Sequence, residues 1–142
     1  HGSLDYNKVT VLVFGSNFDN KILEGIPFRT KFMGFLKDEY SMSLIYNASD
    51  VLIAPSLAET FGYVVMESLS CGTPVVAFNV GGIPDLIKHK SNGYLALYQD
   101  PADIANGVIF CLENKIKGYL LPEFRESVIN MHLELLNAVI GK

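Results

Sequence analysis

The sequence predicts an α/β protein built on a doubly wound parallel sheet. Three observations predict it. Short runs of apolar and β-branched residues lack polar alternation, segments of helical period lie between them, and Gly or Pro punctuates most junctions. Continuous apolar strands suit a sheet covered on both faces, and strand–helix alternation implies right-handed crossovers. At 142 residues with 49% hydrophobic content, the chain has the size and apolar content of one domain.

His1, Gly2 and Ser3 read as the remnant of a cleaved expression tag, so the fold is expected over residues 4–142. Val9 to Phe14 is the first expected strand, buried on both faces and ended by Gly15, Ser16 and Asn17. Phe28 to Phe35 is the second, closing at Gly34. Glu39 to Ala48 then sets Met42, Leu44, Ile45 and Ala48 at roughly helical spacing. Asp50 to Ala54 returns to a strand and stops at Pro55-Ser56. Phe61 to Ser70 reads as a helix with Thr60 as its N-cap, stopped by Cys71-Gly72 with Pro74 beyond. Pro74 to Phe78 is a strand ending near Gly81-Gly82, and Pro84 opens a short helix from Ile83 to Lys88. Gly93 to Leu97 supplies the last strand. Helices follow from Pro101 to about Asn114 and from Glu123 to Val139, the second with Val128, Ile129, Leu133, Leu136 and Val139 as its apolar positions. Lys115 to Gly118 is the one weak linker, and there are no repeats or low-complexity tracts.

A net charge of −4 supplies no broad positive field for nucleic acid or an anionic membrane, so recognition of phosphate has to be local. Cys71 and Cys111 have neither zinc spacing nor a disulfide framework and read as packing residues, which fits a reducing cytoplasmic setting. No apolar run approaches the roughly 18 residues of a membrane span. His89 and His132 lack metal-ligand spacing, so no metal is expected, and Lys88-His89-Lys90 reads as a solvated turn.

The stretch Pro55 to Glu67 carries the chemistry, because it follows the carboxyl end of an expected strand, where open α/β sheets bind ligands. With Thr60 as N-cap, Phe61, Gly62 and Tyr63 present unpaired amides at the positive end of a helix dipole, which forms a cradle for a diphosphate. Glu59 precedes the helix and Glu67 lies about two turns along it, a span on the order of 10 Å. Carboxylates so placed accept strong hydrogen bonds from the hydroxyls that flank a diphosphate in a nucleotide sugar. Taken singly, each glutamate reads equally well as a solvated acid. Glu67 stands out because it sits among Tyr63, Val64, Val65, Met66 and Leu69, where an acid near buried surface needs a hydrogen-bonding partner. Gly81-Gly82 reads as a tight strand-to-helix turn or as a place where backbone meets sugar or phosphate. Asp85 is a ligand acceptor or an ordinary acid in a first helical turn.

These residues resemble the retaining glycosyltransferases of family 4, which have the GT-B fold. The resemblance rests on Asp50-Val-Leu-Ile-Ala-Pro-Ser56, Glu59-Thr-Phe-Gly62, Glu67 to Val76, Gly81-Gly-Ile-Pro-Asp85 and Asn92-Gly93, and it covers about Val9 to Asn114. It implies a Rossmann-like domain, the C-terminal donor-binding half of a GT-B enzyme lacking its first strand. It implies that Glu59 lies against the transferred sugar as the catalytic carboxylate, and that Glu67 binds the nucleotide ribose. The backbone of Thr60, Phe61, Gly62 and Tyr63 would meet the diphosphate, and Gly34, Phe35 and Leu36 the base edge. Gly81, Gly82 and Asp85 would complete the donor site, with no bound metal and no cofactor beyond the nucleotide-sugar donor.

Three departures from the family pattern follow. Asp85 stands where a glutamate is usual. Nothing matches the Arg and Lys that neutralise the diphosphate. The missing central strand predicts either direct closure between its neighbours or association with another chain. The resemblance implies hexosyl transfer in glycan or cell-surface polysaccharide assembly at the cytoplasmic face of the membrane, with an acceptor domain this chain lacks and self-association of the fragment. The rival readings are a sugar-nucleotide epimerase of similar fold and a non-catalytic nucleotide-binding module.

Overall fold

The computed structural model describes residues 5–15, 25–127, 130, 133 and 134. They fall into two compact units, one up to Ile45 and one from Tyr46 onward. In the first unit a short 3-10 turn at Tyr6–Lys8 leads to β1 (Thr10–Val13), which pairs in parallel with β2 (Arg29–Phe32) in the register Thr10↔Arg29 to Val13↔Phe32. The expected burial of β1 on both faces is not met: Val11, Leu12 and Val13 are half-buried. A two-stranded pair has too little neighbouring surface to cover both sides of a strand.

The helix α1 occupies Glu39–Ala48, the bounds its sequence predicts, and Asp38 starts it by accepting a 2.8 Å hydrogen bond from the Ser41 amide. Its inward face is shifted by one residue from the expected one. Ile45 and Tyr46 are buried, whereas Leu44 is 52% exposed and Ala48 is also exposed.

The second unit contains an all-parallel sheet in the order β3–β4–β5, built from Leu52–Ala54, Val75–Phe78 and Gly93–Ala96. The central strand β4 is buried along its whole length, as its unbroken run of Val75, Val76, Ala77 and Phe78 dictates. The helices α2 (Tyr63–Ser70) and α3 (Ile83–Leu86) bury Val65, Leu69, Ile83 and Leu86, and α4 (Pro101–Glu113) buries Gly107 and Cys111. Asp100 caps α4 by accepting from the amides of Ala102 and Asp103, with Pro101 in the first turn.

Asn92 holds the entry to β5. Fully buried, it accepts from the Lys88 amide and donates to the carbonyls of Leu86 and Tyr119, so the Asn92-Gly93 pair serves the fold.

Among the described residues the expected direct pairing between the two groups of strands is not seen: β1–β2 and β3–β4–β5 are separate sheets. The strand α/β alternation is nonetheless the expected one, with every pairing parallel. A helical stretch occupies residues 122–127, and of the expected apolar positions beyond it Leu133 is 52% exposed. Val128, Ile129, Leu136 and Val139 lie outside the described residues, as do His132, Ser16 and Asn17.

Candidate functional site

Parallel strands put their carboxyl ends at one edge of a sheet, so the loops after β3 and β4 are neighbours. The loop after β3 runs over residues 55–62 and carries Glu59. Its carboxylate folds back on the chain that follows: Oε1 accepts from the amides of Thr60, Phe61 and Gly62 at 3.0, 3.3 and 3.1 Å. Three successive amides converging on one anionic oxygen form a nest, and here the anion is the protein's own.

This arrangement corrects the expected helix start. Thr60 is not the N-cap. The cap is Gly62, in the left-handed region at φ 87°, and α2 begins at Tyr63 with no side chain capping it. A side chain at residue 62 would also meet the Ile83 Cδ1 at 2.9 Å, so both backbone angle and space require glycine. Because the helix starts two residues later than expected, Glu67 is its fifth residue and stands about one turn along, not two.

The glycine pair after β4 braces this loop. A Cβ on Gly81, whose φ is +54°, would fall 1.6 Å from the Glu59 carbonyl oxygen, and one on Gly82 would fall 2.6 Å from that of Thr60. The close approach their missing side chains allow is thus to the Glu59 loop itself. Asp85 is exposed in the first turn of α3, where it complements the helix dipole.

Glu67 is exposed, yet its carboxylate is anchored. Tyr46, 1% exposed, donates from its hydroxyl to Glu67 Oε2 at 2.9 Å. Burial, with the Glu67 bond adding to it, pushes the Tyr46 phenol well above its usual range, so it remains a donor at any physiological pH. The backbone of Tyr46 is fixed in turn, its carbonyl accepting from Thr73 Oγ1 at 2.6 Å, while Ser68 Oγ donates to the Thr73 carbonyl at 3.1 Å. Tyr46 and Thr73 were not singled out in the sequence. The readable signal is a tyrosine next to Leu44 and Ile45 in the amphipathic α1, since a phenol buried there requires a partner.

Phe61 and Tyr63, whose amides belong to the expected cradle, pack with tilted rings whose centroids are 4.7 Å apart, and Phe124 of the 122–127 stretch packs on Phe61 at 5.8 Å. Gly34, Phe35 and Leu36 belong to the other compact unit, just beyond the carboxyl end of β2. The Gly34 carbonyl there accepts from the Gly15 amide, and Phe35 is 62% exposed. Among the described residues no group of three or more His, Cys, Asp or Glu is placed to hold a metal, and no helix is long and apolar enough to cross a membrane.

Residues 3–114 match the family model described as glycosyl transferases group 1. The chain is 32% identical over 133 residues to an uncharacterized glycosyltransferase of Methanocaldococcus jannaschii, an alignment covering 89% of this chain and 32% of that protein. It is 39% identical over 88 residues to a sulfoquinovosyl transferase of Arabidopsis thaliana, covering 62% of this chain and 17% of that one. Among solved structures, Anabaena HepE in complex with UDP-glucose superposes with a TM-score of 0.56 at 35% identity, over 66% of this chain and 24% of that chain. The sucrose-phosphate synthase of Thermosynechococcus elongatus gives 0.57 at 36% identity, over 60% and 21%. The fold is therefore Rossmann-like and of the kind found in GT-B glycosyltransferases. The chain spans a third or less of the length of these relatives.

Proposed function

The chain belongs to the group 1 glycosyltransferases, and on that premise we propose that it is the donor-binding domain of a retaining hexosyltransferase of family 4. The observation that carries this reading is the nest of Thr60, Phe61 and Gly62 amides already closed on an anion, the Glu59 carboxylate, at the carboxyl edge of the parallel sheet. A UDP-glucose complex among the structural relatives supports a nucleotide sugar as the ligand.

On this reading the donor's diphosphate takes the place of the Glu59 oxygen on the three amides. The displaced carboxylate turns to the hydroxyls of the transferred sugar, and Glu67 accepts from the ribose hydroxyls. Asp85 meets a sugar hydroxyl. Gly81 and Gly82 contribute by holding the Glu59 loop in place.

The bond between the sugar's anomeric carbon and the diphosphate breaks, and the diphosphate leaves with the electron pair. The acceptor hydroxyl attacks from the same face and its proton passes to a phosphate oxygen. Amides fixed in advance meet the negative charge as it develops on the leaving group, and Glu59 supports the cationic sugar. The acceptor is bound by a partner domain, and the product is a glycan or cell-surface polysaccharide assembled at the cytoplasmic face.

Turnover tests the reading. The enzyme carrying this domain, given a nucleotide sugar and a panel of acceptors, is expected to form a glycoside of retained configuration. An isomerised donor formed without acceptor would instead identify an epimerase, and nucleotide binding without turnover a binding module.

A further inference from the structure

Glu67 is a flexible side chain on an exposed helix face, and such a group gives little binding unless it is held. The chain holds it. The phenol that donates to Oε2 is fully buried, and the turn leading into β4 ties its backbone down through the Thr73 hydroxyl. Ser68, next to Glu67 on α2, closes the loop by donating to the Thr73 carbonyl. A buried chain of hydrogen bonds therefore runs from the end of α1 to the start of β4 and back to α2, and it ends on a carboxylate at the surface. Glu67 Oε1 has no protein donor among the described residues.

We propose that Tyr46 is a positioning residue for donor recognition: its buried hydroxyl fixes one oxygen of Glu67 so that the other is presented to the vicinal hydroxyls of the nucleotide ribose. This rests on the proposed role of Glu67. The physical reason for a tyrosine is twofold. The donor must stay protonated, which burial ensures. It must also not compete for ligand, and a side chain 1% exposed cannot reach one. A lysine or arginine in its place would hold the carboxylate through charge, and would weaken its hydrogen bonds to ribose hydroxyls by drawing electron density away from it.

The test compares ribonucleoside diphosphates with their 2′,3′-dideoxy counterparts, using UDP, GDP and ADP to find the base that binds. Tyr46→Phe removes one oxygen and keeps the ring. Its affinity for the ribonucleotide is expected to fall about three- to tenfold, with the dideoxy nucleotide unaffected. Glu67→Asp, which withdraws an exposed carboxylate by one methylene and leaves the core intact, is expected to give the same ribose-selective loss. Combining Tyr46→Phe with Glu67→Gln is expected to cost no more than Glu67→Gln alone. Equal losses for ribo- and dideoxynucleotides in Tyr46→Phe would mean that Tyr46 only supports the fold, and would overturn the proposal. So would unchanged ribonucleotide affinity in Tyr46→Phe when Glu67→Gln has lost it. Unchanged affinity in Glu67→Gln itself would overturn the ribose role of Glu67 and this proposal with it.

Discussion

Tyr46 and Glu67, 21 positions apart in sequence, meet through a 2.9 Å hydrogen bond that joins a buried phenol to an exposed carboxylate. A bond of this kind links packing to recognition, because the buried partner cannot move without disturbing the core while the exposed one is free to meet a ligand. Glu59 is held differently, by amides of its own loop. The two glutamates are thus restrained by unlike means, and their substitution should have unlike consequences.

Removing the Glu59 side chain frees the nest. Glu59→Ala is therefore expected to bind a nucleoside diphosphate that carries no sugar as tightly as the parent or a few-fold more tightly, since an internal competitor is gone. Glu59→Gln in the transferring enzyme is expected to lower kcat by about 100-fold or more, the usual scale for a group that stabilises transition-state charge. Calorimetry measures the first and initial rates the second. A marked loss of diphosphate affinity in Glu59→Ala would contradict the exchange of carboxylate for phosphate.

Gly81→Ala places a Cβ against the Glu59 carbonyl at a φ of +54°. The loop has to shift, at an expected cost of about 1–3 kcal/mol in stability. Nucleotide affinity should fall as well, because the amides of Thr60, Phe61 and Gly62 move with it. Urea unfolding and titration of the same sample check both effects. Unaltered affinity would show that the brace is unnecessary.

Asn92→Ala removes a buried amide and strands the Lys88 amide and the Leu86 carbonyl. The expected loss is about 2–4 kcal/mol, large for a residue assigned no contact with ligand. Chemical denaturation measures it, and a loss below about 1 kcal/mol would contradict the account of how β5 is entered.

Burial pushes the Cys111 thiol up to about 11 from 9.0 and raises the Tyr46 phenol in the same direction. Both groups are favoured as neutral forms in the folded state, so their contribution is complete below pH 9. The Cys111 contribution is lost as the pH rises from 9.0 to about 11, and the Tyr46 contribution falls only as the pH rises above 10.0, because in each case the unfolded chain ionises first. Thermal unfolding measured from pH 8 to 11 should show a falling Tm, steeper than that of Cys111→Ala. A curve identical to that variant's would remove Cys111 from the explanation. In the native protein at pH 8, iodoacetamide should label half-exposed Cys71 ahead of buried Cys111.

Much of this architecture was legible because apolar run length and Gly-Pro punctuation report strands and helix ends directly. The bounds of α1 and the full burial of β4 are the clearest instances. What the sequence hid were choices between neighbours. A period of 3.6 does not tell Leu44 from Tyr46 as the inward residue, since both border the face that Ile45 occupies. Thr60 is a good capping residue by composition, but a left-handed Gly62 and the reach of Glu59 placed the cap two residues later. The sequence presents the glycines at 81 and 82 as a turn or a ligand contact, whereas the space they save is filled by a loop 22 residues earlier in the chain, a long-range approach that no local pattern encodes. The glutamates are legible as a pair, but what holds each of them is not: Glu67 is held by a tertiary contact with Tyr46, and Glu59 by a loop conformation that composition alone does not specify.

Titration of this chain with UDP-, GDP- and ADP-sugars, run in parallel with Glu67→Gln, tests the central claim most directly. The account predicts saturable binding to one nucleotide family that weakens at least about threefold in the variant. Binding that the variant leaves unchanged, or no binding to any of the three, would contradict a donor site at the carboxyl edge of the β3–β4–β5 sheet.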